Sequence, residues 1–182
     1  MPKSSVDIIE ILKNGGVGVM ATDTIYGLVG SAFSPNAVER IYQLKGRRAD
    51  KPFIILIASP RYLKLFDIHL DKNLSAQLKQ FWPGPVSLVL PCPQDKFAYL
   101  HRGGQSLAFR VPAKPALRRL LASTGPLTAP SANPEGSPPA GNITEAKQYF
   151  DDQVDFYRAG QVGGSASKVI RLSQDGLEVL RP

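Results

Sequence analysis

Between Lys45 and Pro52 the chain reads KGRRADKP, four cations and one acid, and the apolar run FIILI follows at once. Lysine offers phosphate a point charge and arginine a planar fork, so Lys45, Arg47 and Lys51 could hold an anion without a glycine-rich phosphate loop. Other small polar and cationic residues stand where strands run out into loops: Thr22, Thr24 and Tyr26 in ATDTIYGL, Arg110 after LAF, and Ser131 and Asn133 in PSAN. Ligands of open α/β sheets bind outside strand ends, so these groups are expected to converge. Taken singly, each has a plainer reading. ATDTIYGL can be a turn bonding its own backbone, the cations can complement a helix dipole or be solvated, and Ser131 and Asn133 can be turn formers. Arg110 is the exception, because a charge ending an apolar strand needs a counter-ion or water.

Standard catalytic signatures are absent: there is no GxxxxGK[ST], HExxH or GxSxG, and no pair of cysteines. GGSASK at residues 163–168 lacks the glycine that a phosphate loop needs before its lysine. His69 and His101 lie far apart among polar residues and take no role.

The elements that must position these groups alternate between helix and strand. A helix capped by Ser4 or Ser5 carries Val6, Ile9 and Leu12 at helical spacing and stops at Asn14-Gly15-Gly16. VGVMA is a short strand. Ser34-Pro35 starts a second helix, with Val38, Ile41 and Leu44 on one face and Lys45 near its end. FIILIA, residues 53–58, reads as a strand covered on both faces, and Ser59-Pro60 is another helix signal. A polar helix from about Asn73 to Phe81 ends at WPGP, before the strand VSLVL. LAFRV and PLTAP are strands flanking a helix around Ala116 to Ala122. PSANPEGSPPAG is a loop, Asn142 and Glu145 form a capping box, and VDFYR, KVIRL and LEVL are strands with Gln174-Asp175-Gly176 as a hairpin turn. This order predicts an α/β fold with a mixed sheet.

The chain has 182 residues, 43% of them hydrophobic, enough for one domain, and a single domain over residues 1–182 is the expectation. Twenty-two Lys and Arg against 15 Asp and Glu give +7, which favours polyanionic partners such as nucleotides, RNA or acidic headgroups. Cys92 stands alone, so an internal disulfide and a Cys-based metal site are excluded, and a reducing, cytoplasmic setting is expected. The N-terminal apolar stretch is broken by Asp7, Glu10 and Lys13, unlike a signal peptide, and no run is long enough to span a bilayer, so no membrane partner is expected.

In order, TDTIYGL, KGR, KP, WPGPVSLVL, FRVP and SAN with a PP loop resemble the pattern of the YrdC-like family, in particular its short TsaC-type threonylcarbamoyl-AMP synthases, from about Gly15 to Leu172. The resemblance implies a twisted mixed sheet with flanking helices and a basic concave cavity. It also implies a reaction: L-threonine plus bicarbonate or CO2 plus ATP gives threonylcarbamoyl-adenylate and pyrophosphate. The product would supply the group placed on the adenosine beside the anticodon of certain tRNAs, with partner proteins making the transfer.

Carried over residue by residue, the family's KxR and SxN signatures fall on Lys45, Arg47, Ser131 and Asn133, taken as the catalytic set. ATP is expected at Arg47, Lys51, Ser87, Ser131, Asn133 and Arg171, and threonine at Thr24, Tyr26, Arg110 and Ser167. Arg48 is expected to be solvated. Such chemistry needs no protein nucleophile: the site gathers anions and offsets charge on the phosphoryl oxygens. Magnesium is expected to accompany the ATP phosphates, with no protein side chain as its ligand.

Three departures stand out. Leu56 replaces a His frequent in the longer branch, Ser167-Lys168-Val169 replaces Ser-Thr-Val, and SANPEG replaces SANxSG. The resemblance therefore reaches further on the phosphate side than near Leu56 and Ser167. No second domain is expected, so any lid must come from the chain's own loops. Two other readings compete: a non-catalytic basic module binding RNA or tRNA by phosphate contacts, and a carbamoyl-adenylate unit serving a different acceptor, as in hydrogenase maturation proteins.

Overall fold

A computed structural model describes residues 5–48, 50–173 and 176–182. Helix α1 (Ser5–Lys13) leads into β1 (Val17–Ala21), which turns at once into β2 (Tyr26–Ser31). There follow α2 (Pro35–Lys45), β3 (Ile54–Leu56), a 3-10 segment (Pro60–Phe66), α3 (Lys72–Leu78) and β4 (Val86–Pro91). A short 3-10 turn precedes α4 (Ala98–His101), and then come β5 (Ser106–Arg110), α5 (Pro115–Thr124), β6 (Leu127–Thr128), α6 (Ile143–Phe150), β7 (Phe156–Arg158), β8 (Lys168–Ser173) and β9 (Gly176–Arg181). Among the described residues the nine strands form one mixed sheet in the order β7-β1-β2-β6-β3-β5-β4-β8-β9. The expected α/β class with a mixed sheet is borne out.

Local signals explain the helix ends. The Ser34 side chain accepts from the Ala37 N–H at the start of α2, Pro35 fills its first turn, and Gly46 closes it at φ 57°, left-handed backbone suited to glycine. Asn142 and Glu145 form the expected reciprocal cap on α6. The expected caps Ser4 and Ser5 and the hairpin turn at Gln174 and Asp175 lie outside the described residues and side chains.

Three expectations need correction. YGLVGS is a full strand, β2, unread in the sequence because its two glycines look like a loop. In the fold they serve packing, since a Cβ on Gly30 would stand 3.1 Å from Ile41 of α2. FIILIA is a strand only over Ile54–Leu56: Phe53 before it stacks on Tyr42 at 4.0 Å, and beyond it the Ile57 N–H still donates to Arg110 O at 3.0 Å. The polar helix is shorter than expected, Lys72–Leu78. It is capped by Asp71, whose carboxylate accepts from the Leu74 N–H.

The sheet has two unequal faces. On one, Ile55, Leu88, Phe109 and Ile170 pack against α2, the Pro60–Phe66 segment, α3 and α6 in the larger core. On the other, α1 and α5 cover only the β7-β1-β2-β6-β3 end, where Ile8, Leu12, Met20, Val29, Leu56, Leu117, Leu121 and Leu127 form a second cluster. Among the described residues no helix covers the remaining half of that face. Its residues mix small and aliphatic side chains with cations: strand pairing puts Ile54 beside Ala108, Ala108 beside Val89, Val89 beside Arg171, and Ser87 beside Val169. Where large apolar side chains would otherwise fill the layer, a hollow is left. Among the described residues no helix is long and apolar enough to cross a membrane.

Candidate active site

A cavity of about 410 Å³ occupies that uncovered half-face. Its floor is Ile54, Val89, Ser106, Ala108, Arg110, Val169 and Arg171, and four other parts of the chain raise its walls.

The β1–β2 turn supplies Thr24 and Ile25. Thr22 shapes it: its hydroxyl donates to Ile25 O at 2.6 Å and accepts from the Thr24 N–H at 3.1 Å. Between the two threonines, Asp23 Oδ1 accepts from Arg110 Nη1 at 2.7 Å and Oδ2 accepts from the Ala113 N–H at 2.9 Å. This is the counter-ion that Arg110 required. Burial pulls the guanidinium below the ordinary arginine range while Asp23 acts against it, and its buried Nε has no partner.

Beyond α2, Arg47, Pro52 and Phe53 form the second wall. The Arg47 guanidinium lies 5.5 Å from the centre of the Phe53 ring, and its buried Nε is likewise unpaired. Lys45 is one step behind the wall. Its ammonium donates to Ser131 O and Asn133 O, both at 2.6 Å, with Asn133 Oδ1 at 3.5 Å. Burial first, then the charge of Arg47, bring its pKa down to about 8, with Glu135 opposing. Lys45 is thus a strut under the third wall, in which Pro130, Ser131 and Pro139 line the cavity. Asn133 also works within that loop, its amide donating to Pro134 O and Ser137 O.

The fourth wall is Ala166, Ser167, Leu180 and Arg181. The Ser87 and Ser167 hydroxyls meet at 2.9 Å, fully buried. Arg181 holds Ser167 O through Nε at 3.0 Å and Nη2 at 2.6 Å, and Nη2 is also 3.3 Å from Ser167 Oγ.

Of the residues singled out in the sequence, Thr24, Arg47, Arg110, Ser131, Ser167 and Arg171 line one cavity. Ser87 reaches it through Ser167, and Lys45 and Asn133 support its rim from behind. Arg171 stands half-exposed, its Nη1 paired with Glu178 at 2.8 Å. Tyr26 faces elsewhere: its hydroxyl donates to Gly160 O and accepts from the Gly160 N–H, tying down the segment after β7. Lys51 is exposed and paired with Glu135, and Arg48 is exposed and paired with Asp50.

Asp23 and Arg181 escaped the sequence reading. Asp23 had a signal, a lone acid inside a motif that needed a partner for Arg110. Arg181 had none, because its direction depends on an irregularity between β8 and β9. Among the described residues no group of three or more His, Cys, Asp or Glu could hold a metal ion.

Fold and site together define an α/β protein whose arginine-walled cavity occupies the open half of one sheet face. The chain belongs to the Sua5/YciO/YrdC family: residues 10–182 match the family model described as "Telomere recombination". A curated relative from Stutzerimonas stutzeri, named threonylcarbamoyl-AMP synthase, is 34% identical over 96% of this chain and 95% of its own length. One of the same name from Pyrococcus abyssi is 34% identical over 94% of this chain. The crystal structure of Pyrococcus abyssi Sua5 complexed with L-threonine superposes with a TM-score of 0.90 at 32% identity, covering 98% of this chain and 53% of that one. The chain spans about half the length of the Pyrococcus abyssi and Bacillus subtilis relatives it matches.

Proposed function

We propose that this protein is a threonylcarbamoyl-AMP synthase, converting L-threonine, bicarbonate or CO2, and ATP to threonylcarbamoyl-adenylate and pyrophosphate. One observation carries the reading: Arg47, Arg110, Arg171 and Arg181, from separate elements, line a single cavity with Thr24, Ser131 and Ser167. The names of the relatives and the threonine complex of one of them support the choice of substrates.

Bicarbonate, where it is the source, first loses water to give CO2; the neutral amine of threonine adds to CO2 and releases a proton to form a carbamate, whose oxygen attacks the α-phosphorus of ATP while pyrophosphate leaves. The protein contributes position and charge. Arg110, oriented by Asp23, receives the amino-acid carboxylate, and Thr24 and Ser167 stand beside it. Arg47 and Arg181 draw the phosphates and offset charge on the phosphoryl oxygens as the carbamate attacks. Ser131 bonds the nucleotide from a loop that Lys45 and Asn133 hold in shape. Arg171 adds charge at the rim, and Lys51 at the edge of the Arg47 loop.

Magnesium, when it accompanies ATP, would be held by phosphate oxygens and water, since the described residues present no carboxylate cage. The product goes to the threonylcarbamoyl modification of the adenosine beside the anticodon in tRNA, with other proteins making the transfer. The test is pyrophosphate release by purified, RNA-free protein. Release that needs both threonine and bicarbonate is expected, whereas ATP-independent RNA retention without turnover would make the protein an RNA-binding module instead.

A further inference from the structure

The Ser131 loop and the Arg47 loop are joined outside the cavity by one residue. The Glu135 N–H donates to Lys45 O at 2.6 Å, Glu135 Oε2 accepts the Arg48 N–H at 3.2 Å, and Oε1 meets the Lys51 ammonium at 3.2 Å. The side chains of Lys51 and Glu135 are 49% and 37% exposed, so burial commits neither to the other. Lys51 directly precedes Pro52, and both Pro52 and Arg47 line the cavity, which places the ammonium's own loop at the cavity edge.

We propose that Glu135 is an internal competitor for the anion that Lys51 serves: its carboxylate holds the ammonium, and a polyphosphate arriving at the cavity takes Lys51 from it. The proposal rests on the nucleotide reading above. A lysine ammonium exchanges one anionic oxygen for another without geometric penalty, because it is a rotatable point charge. An exposed ion pair resists that exchange only weakly, and a polyphosphate carries more charge than a carboxylate. The two backbone contacts do not involve the ammonium, so the loops stay joined while Lys51 changes partner. Glu135 is then a positioning residue that sets nucleotide affinity and touches no reacting atom. Its charge is kept available by Lys51 foremost and by the Arg48 N–H, which hold the carboxyl below the usual carboxylate range.

Glu135→Gln keeps an acceptor for the Arg48 N–H and removes the charge. Binding of inorganic tripolyphosphate and of ATP is measured by titration calorimetry for wild type, Glu135→Gln, Lys51→Ala and the double variant. Glu135→Gln should bind about two- to fivefold tighter, Lys51→Ala weaker than wild type, and Glu135→Gln should add nothing once Lys51 is gone. Unchanged or weaker binding by folded Glu135→Gln makes Glu135 a structural tie, and equal tightening without Lys51 makes it a general field effect. Either overturns the proposal. Should Glu135→Gln fail to fold, Lys51→Ala decides, an affinity equal to wild type overturning it. Pyrophosphate release on the same proteins separates the two readings: the expected affinity pattern without threonine-dependent release removes the synthase and keeps the competition, and turnover with a flat affinity pattern does the reverse.

Discussion

Asp23 Oδ1 lies 2.7 Å from Arg110 Nη1, with side chains only 7% and 4% exposed, and the two residues are 87 positions apart in the chain. The pair ties the β1–β2 turn to the end of β5 and leaves Nε of Arg110 without a partner. A buried pair of this kind is costly to break from one side, because the survivor keeps its charge and loses its compensation. Asp23→Ala should therefore lower stability by about 3–5 kcal/mol, read by urea unfolding. Adding Arg110→Met should recover part of that stability and none of the turnover. Full stability in Asp23→Ala would show that the pair does not hold the turn.

Lys45 gives a pH prediction. Its pKa falls from 10.5 to about 8 on folding, so between those values the unfolded chain binds more protons than the folded one. Stability contributed by this group then rises with pH across that window. Wild type should gain stability relative to Lys45→Met as pH goes from 8 to 10. A flat or shrinking difference would contradict the burial argument.

Arg181 and Arg171 both line the cavity but should respond differently. Arg181→Ala removes the charged bonds to Ser167 and a guanidinium from the wall, and KM for ATP should rise about 10- to 100-fold. Arg171→Ala breaks only a half-exposed pair with Glu178 and should stay within about threefold of wild type. Steady-state kinetics with ATP varied decides, and reversed magnitudes would exchange the two roles.

Gly163 packs against the β1–β2 turn, where a Cβ would come 2.8 Å from Asp23 O, while the Gly164 N–H donates to Thr24 O at 2.9 Å. Gly163→Ala should push this segment off Thr24 and raise KM for threonine several-fold with little change in thermal midpoint. An unchanged KM would mean that the segment does not shape the threonine side.

Much of the site was legible because its cues are local. Helix α2 could be read from Ser34-Pro35 and its apolar spacing, and its end delivers Lys45 and Arg47 in sequence order. The proline-rich loop around Ser131 and the turn at Thr22–Ile25 follow from residue chemistry alone. Lys51 and Tyr26 stand outside the cavity lining, because a side chain's direction depends on partners elsewhere in the chain, here Glu135 and Gly160.

What the sequence by itself determined is the alternation of helices and strands, the basic loop after α2 and the set of polar strand-end residues, all governed by periodicity, caps and turns acting over a few residues. Tertiary structure decided which of them share a cavity. The β8–β9 ladder shows why. Ile170 pairs with Val179, but Val169 pairs with Arg181, so one extra residue, Leu180, is absorbed between them. In an unbroken strand Arg181 would lie on the face of Leu177 and Val179. The irregularity turns it to the face of Val169, into the cavity. Strand register and the half-covered sheet face depend on the packing of residues far apart in the chain, and no local pattern carries that information.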